Sequence, residues 1–482
     1  MVNDYEMIIG LETHVELKTA RKVFCACPNV YGAEPNTCVC PTCMGLPGAL
    51  PVFDEESLLL AAKAGLALGC AIHPESRFDR KNYFYPDLPK AYQITQFYHP
   101  LCEGGHIDIR TEAGEKRIGV TRIHIEEDAG KLTYTPDGLE IDLNRCGVPL
   151  IEIVSEPDIH SAAEAVAYLK KLRAILVYCG VSDCRMNEGS LRCDVNLSLH
   201  KVGTPFGVRT EMKNLNSFQS VERAIEAERI RQAALLDAGE AVVQETRRYD
   251  QKTGQTHGMR RKENSADYRY FPEPDLPPVH ITPAQLEAIQ RSIPALPDER
   301  SALYMRRYGL TAYAAEQLAA ERWLAEYFEE AVQTAQSPTA LSNLILGEVF
   351  AQITLRDTAR TGDRDESCLP IAPGHLASLS NLAVSGRVNS TTAKKILAAL
   401  FDADCDPEAY AAQHDLFLLT DEAALRDAVR TVIAQNAAMA ASYRAGKVNV
   451  AKALIGKAMG ACRGKADAEK LNAILLEELN QG

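Results

Sequence analysis

MIIGLETHVEL, residues 7–17, reads as a strand with two chemically opposed faces. Successive side chains on an extended backbone point to opposite sides. Met7, Ile9, Leu11, Val15 and Leu17 therefore share one side, while Glu12, His14 and Glu16 share the other. One side is core and the other is acidic. The same sorting works in SLRCDVNLSLH (190–200), where Leu191, Cys193, Val195, Leu197 and Leu199 oppose Arg192, Asp194, Asn196 and Ser198. FGVRTEMKN (206–214) puts Arg209, Glu211 and Lys213 on one face, and VTRIHIEEDAG (120–130) does the same with Arg122, His124 and Glu126, Glu127 and Asp128 following. PLIEIVSEPD (149–158) adds Glu152 and Glu156.

A half-solvated antiparallel sheet also carries charge on its outer face, and any one of these strands fits that description. Together they carry short carboxylates and imidazoles at two-residue spacing, and such a set repels itself unless a cation sits within it. Oxygen-rich sites with few carboxylates per ion suit Mg²⁺ bound together with nucleotide phosphates. The expectation is a divalent-metal site around Glu12, His14, Glu127 and Glu152, with Glu126, Asp194 and Glu211 as further candidates. Alternation sets Glu126, not Glu127, beside His124, and leaves open which of the pair ligates.

The 482 residues suffice for two to four domains, and 46% apolar with 24% charged residues is the balance of a folded soluble protein. No apolar run approaches the ~20 residues of a membrane span, and the N-terminus lacks a signal-peptide pattern, so a cytoplasmic location without membrane partners is expected. Residues 1–293 read as mixed α and β, with a helix capped by Ser161 and stopped at Gly180. Seven prolines between Pro272 and Pro297 mark an exposed connector. Beyond it lie a helical segment, 294–405, and a small helical tail, 406–482, closed by a helix starting at Asp467. The fold class expected is α+β: an N-terminal cradle with an antiparallel sheet and flanking helices, then two all-helical domains.

FCACPNVYGAEPNTCVCPTCMG (24–45) holds Cys25-x-Cys27, twelve residues, then Cys40-x-x-Cys43. Two thiolate pairs across a loop suit tetrahedral Zn²⁺, and four ligands leave no open position, so the site is structural. Cys38 is spare. FDRKNYFYPDLPKAYQITQF (78–97) interleaves Arg80, Lys81 and Lys90 with Tyr83, Tyr85 and Tyr92, a mixture able to hold phosphate and stack a base or ribose. The net charge of −13 argues against nucleic-acid binding over the whole surface. One stretch differs: Arg444, Lys447, Lys452, Lys457, Arg463 and Lys465 follow one another with no acid between them, able to track a phosphate backbone. Neither glycine-rich phosphate loop occurs, nor a G-x-S-x-G elbow.

GLETHVEL, GAEPN, FDRKNYFYPDLPKAYQITQF, HIEEDAGK, DLNRCGVPLIEIVSEPD, EGSLRCDVN, KNLNSF, ETRRYD and DYRYFPEPDLPP resemble, in order and spacing, the B subunits of the bacterial aspartyl/glutamyl-tRNA(Asn/Gln) amidotransferases. The likeness implies ATP- and Mg²⁺-dependent phosphorylation of glutamate or aspartate misacylated on tRNA, followed by displacement of phosphate by ammonia. It places the family's metal-binding pattern on Glu12, His14, Glu127 and Glu152; beyond the resemblance, we expect Arg80 and Lys81 to steady phosphates and Tyr83 and Tyr85 to contact the nucleotide or terminal adenosine. It implies an amidase A subunit that releases the ammonia and a small C subunit that belts the two together. The cysteines match the zinc-bearing members, with Cys25, Cys27, Cys40 and Cys43 as ligands. AGKVNVAKALIGKAMGACRGKAD (445–467) follows the family's tRNA-binding tail only loosely. Two rival readings are a non-catalytic tRNA-binding zinc scaffold and a free-standing ligase using ammonia directly.

Overall fold

The computed structural model describes residues 5–261, 268–357, 369–419, 421–462 and 464–481. The chain divides into two compact units, Met1–Leu296 and Pro297–Gly482, parting in the proline-rich stretch.

The first unit is built on a ten-stranded sheet. Its site-bearing strands are β1 (Tyr5–Glu16), β2 (Gly114–Glu127), β3 (Pro149–Ser155), β4 (Leu191–Lys201), β5 (Thr210–Leu215), β6 (Glu245–Asp250) and β7 (Gln255–Arg261). They lie in the order β7-β6-β5-β4-β1-β3-β2, so the N-terminal strand sits mid-sheet. Short strands, Cys102–Glu103, Ala71–Ile72 and His106–Thr111, extend it beyond β2. All pairings are antiparallel except β5 with β6. That exception has a cause: the chain between them runs back through a crossover helix, Phe218–Asp237, which returns it to the same end of the sheet.

Three helices cover the apolar side: α1 (Glu55–Ala67), α2 (Ala162–Tyr178) and α3 (Phe218–Asp237). Ile9, Leu11, Val15, Ile123, Ile151, Ile153, Val195 and Leu197 are buried beneath them, each contributing roughly 1.5–3 kcal/mol. The Ser161 side chain accepts from the Glu164 amide at the start of α2, and Gly180 ends it at φ +68°. Glu164 reaches the His160 amide at 2.8 Å, one residue beyond a standard capping box.

The second unit is helical, with two separate apolar cores. One runs from Tyr304 to Ala411 and the other from Leu425 to Leu479. The second core holds α4 (Val450–Ala461) and α5 (Ala468–Gln481), whose Leu471, Ile474, Leu475 and Leu479 are buried. No helix among the described residues is long and apolar enough to cross a membrane.

Candidate active site

Strand register turns the alternation of single strands into a two-dimensional array. His14 of β1 stands opposite Glu152 of β3, Glu152 opposite His124 of β2, and Arg192 of β4 opposite His14 on its other side. Glu126, two residues after His124, completes a compact group. His14 Nε2 lies 3.5 Å from a carboxylate oxygen of Glu126 and 3.5 Å from one of Glu152. His124 Nε2 lies 3.5 Å from Glu152 and 3.8 Å from Glu126. One ligand atom each from His14, Glu126 and Glu152 falls within 4.8 Å of the others.

The electrostatics are those of a place that wants positive charge. Burial pushes the Glu126 carboxyl up, and the Glu152 carboxylate adds to it, to about 7. Burial opposes protonation of His14, but Glu152, Glu126 and Asp194 outweigh it and raise the imidazole to about 9. His124 goes the other way: burial holds it down at about 4, so it stays neutral. Crowded acids that keep a proton or borrow an imidazolium are what a divalent cation would replace, and one imidazole with two carboxylates is a donor set that accepts one.

A second group lies along the same face. Glu12 stands opposite Asp194, and Asn196 opposite Glu211. Glu12, Asp194 and Glu211 again bring ligand atoms within 4.8 Å of one another. An irregularity between Cys193 and Val195 breaks the ladder with β5, which shows why alternation alone could not set Glu211 against Asp194. Lys213 pairs with Asp194 and lies 3.5 Å from Glu211, so a cation already belongs to this arrangement. Asn196 Nδ2 donates to Glu12 at 3.0 Å, and its buried Oδ1 has no hydrogen-bond partner among the described residues.

Glu127 stands apart from both groups. Its carboxylate is paired with Lys90 and accepts from the Ile94 amide at 2.9 Å. Arg80 is similarly committed: its guanidinium is bidentate on Glu273 at 2.7 and 2.8 Å, reaches Asp275 at 3.0 Å, and lies over the Tyr92 ring. Lys81 faces the first group, half-buried, with Tyr268 and Tyr83 rings 5.0 and 5.8 Å from its ammonium. Burial alone would lower its affinity for a proton, but Tyr270, Glu126 and Glu152 raise it. Tyr85 is exposed.

Sequence reading did not single out His124, Asn196 or Lys213 as site residues, although alternation had put all three on polar faces. Tyr268 and Tyr270 come from DYRYFPEPD, far along the chain, and carried no local signal.

The four cysteines Cys25, Cys27, Cys40 and Cys43 gather with sulfurs within 4.8 Å of one another, and Cys38 is not among them. Cys40 and Cys43 Sγ are 3.8 Å apart, the edge of a tetrahedron with about 2.3 Å zinc–sulfur bonds. The Cys40 amide donates to Cys43 Sγ at 3.1 Å and buried Lys22 approaches it at 3.7 Å. Sharing a hydrogen bond with Cys25 lowers the Cys43 thiol to about 4 and raises that of Cys25. A set holding one thiolate among neighbouring thiols suits a metal that accepts all four. No disulfide joins the described cysteines.

In the tail, Lys447 and Lys452 are exposed. Arg444 donates to the Leu479 carbonyl, Lys457 to Asn436, and Lys465 pairs with Asp415. Arg463 lies outside the described residues.

This sheet, with clustered acids on its polar face and helices behind it, falls almost wholly within residues 7–287, which match the GatB/GatE catalytic domain. Residues 326–479 match the GatB domain. The chain is 48% identical over 481 residues to the B subunit of the aspartyl/glutamyl-tRNA(Asn/Gln) amidotransferase of Caldicellulosiruptor saccharolyticus, covering 99% of this chain and 100% of that protein. The corresponding protein of Lachnoclostridium phytofermentans is 46% identical over 480 residues, 99% of each chain. That of Nitratidesulfovibrio vulgaris is 47% identical over 478 residues, 98% of this chain and 99% of the relative. The chain thus belongs to the family of aspartyl/glutamyl-tRNA(Asn/Gln) amidotransferase B subunits.

Proposed function

We propose that the first unit transfers the γ-phosphoryl group of ATP to the side-chain carboxylate of glutamate or aspartate misacylated on tRNA, and prepares it for amidation. The observation that carries this reading is the pair of three-ligand groups, His14 with Glu126 and Glu152, and Glu12 with Asp194 and Glu211, on one face of one sheet. These residues would hold Mg²⁺, which when bound supplies neutralisation of charge on the transferring phosphoryl oxygens. Glu127 belongs to this reading as a support, fixing Lys90 and the 92–95 strand beside Lys81.

The chain's own groups position the reactants. The substrate carboxylate oxygen attacks the γ-phosphorus, the bond to the β-phosphate oxygen breaks, and ADP leaves. Lys81, kept cationic by its neighbours, would face the phosphoryl oxygens. Ammonia then attacks the acyl carbon, the bond to the phosphate oxygen breaks, and the amide forms with loss of a proton from nitrogen. The ammonia comes from a partner amidase A subunit, with a small C subunit joining the two, in keeping with relatives named as one part of a larger amidotransferase. The four cysteines hold structural Zn²⁺, and the basic tail residues Arg444, Lys447, Lys452, Lys457, Arg463 and Lys465 approach tRNA phosphates.

The test is amide formation by the reconstituted complex with each charged tRNA separately, comparing wild type with Glu152→Gln. Loss of a group acting on developing charge costs about 10²–10³-fold in rate, and that is the expected result. A rate near wild type would leave a tRNA-binding scaffold as the better description.

A further inference from the structure

Among the described residues, Lys22 alone of the lysines is fully buried. An ammonium taken out of water is costly unless an anion sits beside it, so buried charges are paired or placed against metal centres. Lys22 has no such carboxylate. Its Nζ lies 3.7 Å from Cys43 Sγ and 3.5 Å from the Leu143 carbonyl oxygen, and no acid pairs with it among the described residues. Glu127, whose carboxylate lies across Gly147 from the Lys22 stem, is committed to Lys90. A carbonyl and a neutral thiol do not meet the need of a buried cation; a thiolate does.

The backbone fixes Lys22 from within the cysteine loop. Its amide donates to the Cys27 carbonyl at 3.0 Å, closing the turn that carries Cys25 and Cys27. The next amide, of Val23, donates to the Gly147 carbonyl at 2.9 Å and ties that turn to the body of the unit. A Cβ at Gly147 would lie 3.7 Å from both Cys43 Cβ and Lys22 Cδ, so the lysine stem and the cysteine flank one point of the backbone. Of the four clustered cysteines, Cys43 alone is buried, while Cys25, Cys27 and Cys40 are half-buried. Water can solvate three of the sulfurs. Lys22 meets the fourth.

Zn²⁺ held by four thiolates leaves two net negative charges on the set. We propose that Lys22 is the counter-charge of this site: its ammonium holds Cys43 as a thiolate and offsets part of the charge left on the sulfurs, so that the metal is bound more tightly. Lys22 is a positioning residue, acting on the metal only through Cys43. The inference rests on the reading of the four cysteines as a structural Zn²⁺ site, and its test separates the two.

Lys22→Met keeps an unbranched stem and removes the charge. Lys22→Gln also keeps a donor that can turn toward Cys43, so it answers the question however Lys22→Met folds. Full-length wild type and both variants, loaded with zinc, are titrated with a chromogenic chelator. Loss of an outer-shell partner costs about 10–100-fold in metal affinity, and that loss is expected in both variants. A second readout depends on charge and not on packing: each protein is prepared with iron in place of zinc, and its one-electron reduction potential is measured. Four thiolates with Fe³⁺ carry one net negative charge and with Fe²⁺ two, so a buried cation favours the reduced form. Its removal should lower the potential, by about 59 mV for each tenfold change in relative affinity. Zinc affinity equal to wild type in the variants would overturn the counter-charge alone. Weakened zinc binding with an unchanged iron potential would make Lys22 a packing residue and overturn it as well. A wild-type chain that holds no zinc would overturn the metal reading and this inference together.

Discussion

Glu126 and Glu127 are adjacent and chemically identical, yet one is aimed among acids and the other at a lysine. Removing one partner from a buried ion pair leaves an uncompensated charge, at about 3–5 kcal/mol, so Glu127→Gln should lower unfolding free energy by that order. Glu126→Gln, which relieves two crowded carboxylates, should leave the metal-free protein as stable as wild type or more so. Urea denaturation of both variants checks the contrast. Glu228 offers a pH test outside the two acidic groups. It is fully buried on α3, where desolvation opposes its charge, but Arg231, Gln232 and Thr210 outweigh that and hold its carboxyl below the ordinary 4.5. Thr256 donates to it at 2.8 Å and Arg247 lies 3.3 Å away. A depressed folded value means the stabilisation is present above pH 4.5 and lost as pH falls through the folded value. Glu228→Gln should therefore be less stable than wild type at pH 7, with the gap closing in acid denaturation as pH falls below 4.5 and through the folded value. The face of each acid was legible in the sequence, because alternation depends only on neighbours. Its partner was not: Glu273 is 193 residues from Arg80, and Glu152 meets His14 only through strand register.

Elements differ in how much of their stability is their own. Helix α2 carries its own start and stop signals, Ser161 and Gly180, and its extent could be read directly. The loop around Cys25–Cys43 has little regular structure and few buried apolar groups, so its order is expected to rest on what the sulfurs hold. One zinc per chain is expected by elemental analysis. Chelation, or Cys43→Ser, should raise amide hydrogen exchange across residues 24–45 while leaving exchange in β1 and α2 unchanged. The cysteine spacing gave away this group because all four thiols lie within one loop. Each acidic group instead draws its members from separate strands, and an irregularity between β4 and β5 decides where Glu211 falls.

At the scale of the whole chain, a net charge of −13 must coexist, in the proposed function, with a polyanionic substrate. In the proposed reading the tail meets this by concentrating cations, and Lys447 and Lys452 are among its exposed members. Replacing both with Gln should weaken tRNA binding and reduce the slope of log affinity against log salt by about 1 per lost phosphate contact; a filter-binding salt series on the assembled complex measures it. The two units part at Pro297, the last of the connector prolines, which cannot supply backbone donors to either side. The crossover that makes β5 and β6 parallel was not legible in the sequence, because a helix between two strands reads the same whichever way the chain returns.

The central place of β1 has a consequence for synthesis. Strand β1 is flanked by residues 149–155 on one side and 191–201 on the other, so during synthesis it stays with both edges bare until those later strands emerge. Pairings this distant along the chain are slow to form and expose aggregation-prone edges meanwhile. A stalled nascent chain of fewer than about 200 residues should thus be a better client for a holding chaperone than any longer one.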